Sequence, residues 1–520
     1  MPEGGILSEP VSGRDAFLVF LAALAILLPF LGTADVTTKA EGRPALVARD
    51  ILATGKLQPP TLFGDVYLDK PPLYHGLVAL SFLALGTDDE FSARLPSALA
   101  AAITATVVFA IAAGWRGRGT GAAAAALFLL NRRVFGDARS SELEMLLAMF
   151  VAIMNLGVFL AAFRVRGPVA FVVAAVGAAG ATLAKGPALP LIFAAITVLV
   201  LVVSRRGDRR AALSALGAVV VGAALAAAAY WGPMLDDYGK LLFDRLVFAN
   251  VTHDQNPFFY FYAYPGEAWP AAVLIPAAAM RARREGGFGR ILGAIFVATF
   301  VIFSLKSNKQ PHYLLPVDPL VAILLGAELV QQIRERRTLW FRAAAVGLCL
   351  AGPLIAILTD HDGGRRHPVL WALAALPALA SALAFVALGR RDYRPARVLA
   401  PLFVAAWAVL VLTESIRPHL LRDVYSARAP MTAFAAAANG RPLASFAIKP
   451  SFLYYLPRRD VRLLATAAEA RAFFGAHPNG LLISEAGDRR LKDPALGPWR
   501  VVESYTTTNA RYDWRLIGSE

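Results

Sequence analysis

The sequence holds a single cysteine, Cys349, inside the apolar run 341–359, so no disulfide can form within the chain. Histidines number 7, and no Cys/His spacing resembles a zinc site, so no metal is expected. Charge is scarce too. Asp, Glu, Lys and Arg make up 17% of the residues, where an ordinary soluble protein carries about a quarter. Apolar residues reach 57% and mean hydropathy is +0.54. A soluble chain of this kind would lack the polar surface to cover itself, so its solvent is a bilayer.

What charge there is has a sign and a place. The 52 basic and 37 acidic residues leave a net charge of +15. That excess could serve nucleic acid, but it sits in short clusters between apolar runs, the positive-inside pattern of a multi-spanning protein. Nucleic acid is therefore excluded as a partner. Runs apolar enough to span fall at 16–33, 94–114, 119–131, 144–163, 168–184, 186–203, 211–231, 268–280, 291–305, 313–330, 341–359, 368–388 and 397–414, about thirteen helices. Every second loop is basic, through Arg116, Arg164, Arg205, Arg281, Arg334 and Arg390. This alternation predicts a cytoplasmic N-terminus in an inner (plasma) membrane, with the first run a retained helix and no cleaved signal.

The opposite loops are long and aromatic, above all 34–93 and 232–267, and the tail 416–520 falls on the same periplasmic side. The chain thus divides into a transmembrane domain, 1–415, and a soluble unit, 416–520. In the tail, the stretches PLASFAIKPSFLYYLPR, NGLLISEAG, RVVESYTT and RYDWRLIG read as strands. TAAEARAFFGAH reads as a helix between them, giving a small α/β domain. The tail's strand order does not follow from the sequence.

The first outer loop carries the most chemistry. Glu41 and Arg43 lie just past the first run; ALVARDILATG has the pattern of a short interfacial helix. YLDKPPLYHG then sets Asp69 and Lys70 against two prolines, between Tyr67 and Tyr74. These features, Ala40-Glu41-x-Arg43, Tyr67-Leu68-Asp69-Lys70-Pro71-Pro72 and Ala93-Arg94-Leu95-Pro96-Ser97, resemble bacterial transferases that move 4-amino-4-deoxy-L-arabinose from undecaprenyl phosphate to lipid A. They are similar also to the related protein O-mannosyltransferases. The resemblance extends over about 15–330: Arg139 and Glu144 in ARSSELEMLL, Lys185 in TLAKGPALP, His253 in the aromatic loop, and Lys309 and Tyr313 in SLKSNKQPHYLLP.

The resemblance implies a GT-C fold and inverting transfer of a sugar from a polyprenyl-phosphate donor to a glycolipid or a protein hydroxyl. It implies neither nucleotide nor other cofactor; membrane lipid surrounds the chain, which acts as a monomer. Cations must stabilise the departing lipid phosphate. Lys70, Arg43, Lys185, Arg245, Lys309 and the Tyr313 hydroxyl are the candidates, with Tyr67, Arg139, Glu144 and His253 as further donor contacts. A carboxylate accepts the proton of the attacking hydroxyl: Glu41 first, Asp69 second. The chain departs from the family at Ala40, where an acid is usual, at Pro44 in place of Tyr, and at Asp69 in place of Glu; Asp35 is an alternative source of the missing carboxylate. A transporter or flippase is the competing reading, but no matched broken helices appear in two repeated halves. A non-catalytic envelope assembly protein is another.

Overall fold

Small residues decide how the helices meet. In the computed structural model, a Cβ built on Gly157 would lie 2.3 Å from the Ala174 nitrogen, and one on Gly177 2.4 Å from the Met154 nitrogen. Only glycine allows this approach, which presses the helices Glu144–Phe163 and Pro168–Lys185 backbone to backbone. Such packing by small residues suits helices in lipid, where apolar burial alone gives no reason to associate. The structure describes residues 11–37, 39–163, 167–205, 207–239, 255–364, 366–390, 395–446, 448, 450–457, 460–506 and 513–519.

The chain is a polytopic helical membrane protein. Among the described residues, 9 helices are long and apolar enough to cross a bilayer: Glu90–Arg116, Glu144–Phe163, Pro168–Lys185, Arg209–Gly239, Gly287–Leu305, Pro311–Arg334, Leu339–Gly363, Pro368–Leu388 and Pro395–Leu420. The runs expected at 16–33, 119–131 and 186–203 form shorter helices, Gly13–Leu27, Arg118–Leu129 and Ala188–Ser204, of 15, 12 and 17 residues. At a rise of about 1.5 Å per residue these fall short of a hydrocarbon core of about 30 Å. The run at 268–280 is broken: a 3₁₀ turn, Ala271–Leu274, follows Pro270, and Ile275–Glu285 continues as α-helix.

The first loop folds against this bundle. It begins with the helix Lys39–Thr54, makes a two-strand hairpin of β1 (Thr61–Leu62) and β2 (Asp65–Val66), and enters the apolar helix Leu73–Leu85. That last helix escapes a reading of 34–93 as one loop. Its 13 residues reach about 20 Å, too short to span.

The tail forms a five-stranded sheet, ordered β4-β3-β5-β7-β6, from β3 (Leu443–Phe446), β4 (Val461–Leu464), β5 (Leu481–Glu485), β6 (Trp499–Thr506) and β7 (Asp513–Ser519). β4, β3 and β5 run parallel; β7 is antiparallel to β5 and β6. Alternating side chains give the sheet two apolar faces. Leu443, Ile483 and Trp514 pack on the helix Arg428–Ala438, and Phe446, Leu482 and Ile517 on the helix Ala467–Ala476. The second half of PLASFAIKPSFLYYLPR is not strand: Pro450–Tyr455 turns as a 3₁₀ helix. This turn carries Tyr454 and Tyr455 onto the first loop, where the Tyr455 hydroxyl donates to Glu90 at 2.8 Å and the Tyr454 hydroxyl donates to the Asp88 carbonyl at 2.8 Å.

Candidate active site

The segment Tyr67–Lys70 is held from both sides. After the hairpin, the Tyr67 amide donates to the Pro60 carbonyl at 2.8 Å, and its ring packs on Leu46 and Val47 of the helix Lys39–Thr54. Pro71 and Pro72 then fix the backbone where the helix Leu73–Leu85 begins. Between these anchors Asp69 is exposed and Lys70 half-buried.

Lys70 lies among charges of both signs. Burial lowers the pKa of its ammonium, and Lys185 and Arg43 push in the same direction, while Glu144 and Asp69 oppose them. No hydrogen bond or salt bridge joins Lys70 to another described residue. Beside it, the Arg43 guanidinium stands 3.6 Å from Asp69 and 5.8 Å from the Tyr67 ring centre.

Lys185 is bound differently. Its ammonium donates to both oxygens of Glu144 at 2.6 Å. Glu144 opens one helix and Lys185 closes the next, so each charge meets the helix end that favours it. His312 Nε2 lies 3.5 Å from the same carboxylate, and the Tyr313 ring lies 5.3 Å from the Lys185 ammonium and 5.6 Å from that of Lys306. Thus Arg43, Tyr67, Asp69, Lys70, Glu144, Lys185 and Tyr313 form one neighbourhood.

Glu41 is buried in an ion pair. Its carboxylate accepts from Arg94 Nε at 2.6 Å, and both side chains are nearly sealed, 6% and 5% exposed. The Ser141 amide approaches the same oxygen at 3.4 Å. Arg94 also donates to the carbonyls of Leu31 at 2.8 Å and Ala34 at 2.7 Å, tying the turn after the first helix to the helix Glu90–Arg116. Ala93-Arg94-Leu95-Pro96-Ser97 is therefore a clamp, and Glu41 its counter-charge. Ala40 is exposed, and Asp35, the alternative acid, accepts from Ser426 at 2.7 Å and Arg428 at 2.9 Å, on the tail.

Two further candidates are spent elsewhere. Arg139 donates to the Leu27 carbonyl and, at 2.8 Å, to the Ser415 hydroxyl. Lys309, only 2% exposed, donates to the Gln255 carbonyl at 2.8 Å. Arg245 and His253 lie outside the described residues. Among those described, no group of three or more His, Cys, Asp or Glu is arranged to hold a metal.

Sequence reasoning overlooked Glu142 and Asp137. Burial, then the nearby Asp137, Glu144 and Glu41, push the Glu142 carboxyl up to about 8. Burial, with Glu144 and Glu267 and against Arg133, raises that of Asp137 to about 7. An acid at 142 beside one at 144 gives no sequence signal of its own; only folding stacks them. A separate hollow of about 380 Å³ between first loop and tail is lined by Arg49, Asp88, Glu90, Arg428, Tyr454 and Tyr455 among others, and contains none of the predicted site residues.

Residues 69–231 match a family described as dolichyl-phosphate-mannose-protein mannosyltransferase. The chain is 25% identical over 426 residues to an undecaprenyl phosphate-alpha-4-amino-4-deoxy-L-arabinose arabinosyl transferase of Pseudomonas savastanoi pv. phaseolicola, covering 78% of each. It is also 25% identical over 357 residues to the transferase of that name from Serratia proteamaculans, covering 66% of this chain and 63% of that one. In fold it is similar to the crystal structure of ArnT from Cupriavidus metallidurans, solved apo and bound to undecaprenyl phosphate, with TM-score 0.75 at 18% identity over 97% of this chain and 98% of that one. An oligosaccharyltransferase of Archaeoglobus fulgidus shares the fold at TM-score 0.52 and 10% identity, over 96% of this chain and 73% of that one.

Proposed function

We propose that the chain is a membrane glycosyltransferase of the aminoarabinose-transferase and protein O-mannosyltransferase type and moves a sugar from polyprenyl phosphate to an acceptor hydroxyl, with the reaction centred on Lys70. The relatives' names favour a glycolipid of the lipid A kind as acceptor over a protein. The observation that carries the assignment is Lys70 itself: a half-buried ammonium without an ion-pair partner among the described residues, beside Arg43 and the Lys185–Glu144 pair. An ammonium so placed has its charge available to a phosphate.

In the proposed step the acceptor oxygen attacks the anomeric carbon opposite the phosphate. The bond from that carbon to the phosphate oxygen breaks, and its electron pair leaves with the lipid phosphate, stabilised by Lys70 and Arg43. Attack from the far side inverts the anomeric configuration. Asp69, exposed and next in sequence to Lys70, accepts the proton of the attacking hydroxyl. Glu144 and Lys185 neutralise one another and fix the field at Lys70. Glu41 and Arg94 hold the first loop in register.

The same reading puts the N-terminus in the cytoplasm and the long loops and tail in the periplasm, supported by the alternation of basic loops. The tail from about 416 acts as a separate α/β unit, and the enzyme as a monomer. Mass spectrometry of envelope lipids and glycans from cells with and without the chain tests the activity. A sugar-sized mass increment that depends on the chain is expected; identical profiles under conditions where the protein is expressed contradict the reading.

A further inference from the structure

We infer that His75 is a hydrogen-bond donor to the phosphate of the lipid-linked donor, working beside Arg43 and Lys70. The inference rests on the function proposed above and adds a residue to its binding site. His75 lies in the first turn of the helix Leu73–Leu85, only 1% exposed, and neither ring nitrogen has a hydrogen-bond partner in the protein. A neutral imidazole must carry one N–H, so burying both nitrogens unpaired is a standing cost unless a polar group meets them. Arg43 presents the same signature from a different helix: its Nε is buried and unpaired.

The two residues flank one ring. His75 meets Tyr67 edge-on at 5.7 Å between ring centres, and the Arg43 guanidinium carbon lies 5.8 Å from that of Tyr67. Lys70, three residues after Tyr67, stands within electrostatic reach of both Arg43 and His75. Helices 39–54 and 73–85 thus bring buried N–H groups close to the Tyr67–Lys70 segment, where Arg43 and Lys70 already attract an anion. Burial, with Arg43 and Lys70, lowers the His75 pKa to about 3, so the ring stays neutral and donates one proton without adding charge. A phosphate oxygen fits this set better than a sugar hydroxyl, because Arg43, Lys70 and His75 can each offer it at least one N–H.

The test measures binding of undecaprenyl phosphate to the full chain in nanodiscs, with undecaprenol as the control that lacks phosphate. His75→Phe keeps the ring's bulk and removes its N–H; His75→Gln restores a donor. Losing a hydrogen bond to a charged group predicts affinity for undecaprenyl phosphate about tenfold or more weaker in the Phe variant, largely recovered by Gln, with undecaprenol binding unchanged. If His75 is only a packed residue, the Phe variant binds as wild type and melts at a higher temperature, since an unpaired polar group has been removed; that result overturns the inference. Loss of binding in Lys70→Ala with full binding in His75→Phe likewise refutes the role of His75 and leaves the function standing. Failure of the wild type to prefer undecaprenyl phosphate over undecaprenol overturns both.

Discussion

Consider removing the charge from Glu41 and, separately, from Arg94. The pair is 2.6 Å apart, with side chains 6% and 5% exposed, so neither charge can turn to water when its partner goes. Breaking a buried ion pair from one side costs about 3–5 kcal/mol, because the survivor stays desolvated and uncompensated. Glu41→Gln should stand toward the low end, since Arg94 keeps its bonds to the Leu31 and Ala34 carbonyls. Arg94→Gln should cost more, because those buried carbonyls lose their donor, each a further ~1–3 kcal/mol. The double variant should recover part of the sum, a coupling of about 0.5–3 kcal/mol between touching residues. Thermal unfolding of the purified protein, followed through its 8 tryptophans, reads all four corners of the cycle. If Glu41→Gln abolishes transfer with an unchanged melting midpoint and no coupling to Arg94, Glu41 is the base and the clamp assignment is wrong.

Asp69→Asn should lower kcat about 10²–10⁴-fold, the usual contribution of a positioned proton acceptor; a kcat within twofold of wild type removes Asp69 from the mechanism. The lowered pKa of Lys70 predicts that affinity for undecaprenyl phosphate is full while the amine is protonated and falls as pH rises through a value below the ordinary 10.5. Lys70→Arg should abolish that alkaline fall, as a guanidinium does not titrate there. Glu142, pushed up to about 8 from 4.5, holds a proton in the folded chain that the unfolded chain has released. Stability should therefore fall as pH rises between about 4.5 and about 8, and Glu142→Gln should flatten that slope in melting curves.

Much of this was legible in the sequence, and unevenly so. Long apolar runs and alternating arginines gave a membrane protein because lipid imposes both rules locally. The Asp69-Lys70-Pro-Pro segment was legible for a similar reason: prolines fix the backbone whatever surrounds it. Pairings across the fold were not legible. Nothing in the spacing of Glu41 and Arg94, 53 residues apart, says they form an ion pair. Lys185 and Arg139 matched equally well as cations, yet one sits beside Lys70 and the other holds Leu27 and Ser415. The helix Leu73–Leu85 was missed because a mostly apolar stretch of 13 residues between polar loops meets no spanning criterion. His75 went with it, since a histidine after Lys-Pro-Pro-Leu-Tyr carries no sign of where its ring will point.

The most direct measurement of the central claim is release of undecaprenyl phosphate from an undecaprenyl-phosphate-linked sugar by the purified chain, comparing wild type with Lys70→Met. Methionine keeps the length and apolar character of the lysine stem and removes its charge. The account predicts acceptor-dependent release by wild type and a loss of at least about a hundredfold in the variant, with the variant melting at or above the wild-type temperature. Equal release by both proteins would contradict it.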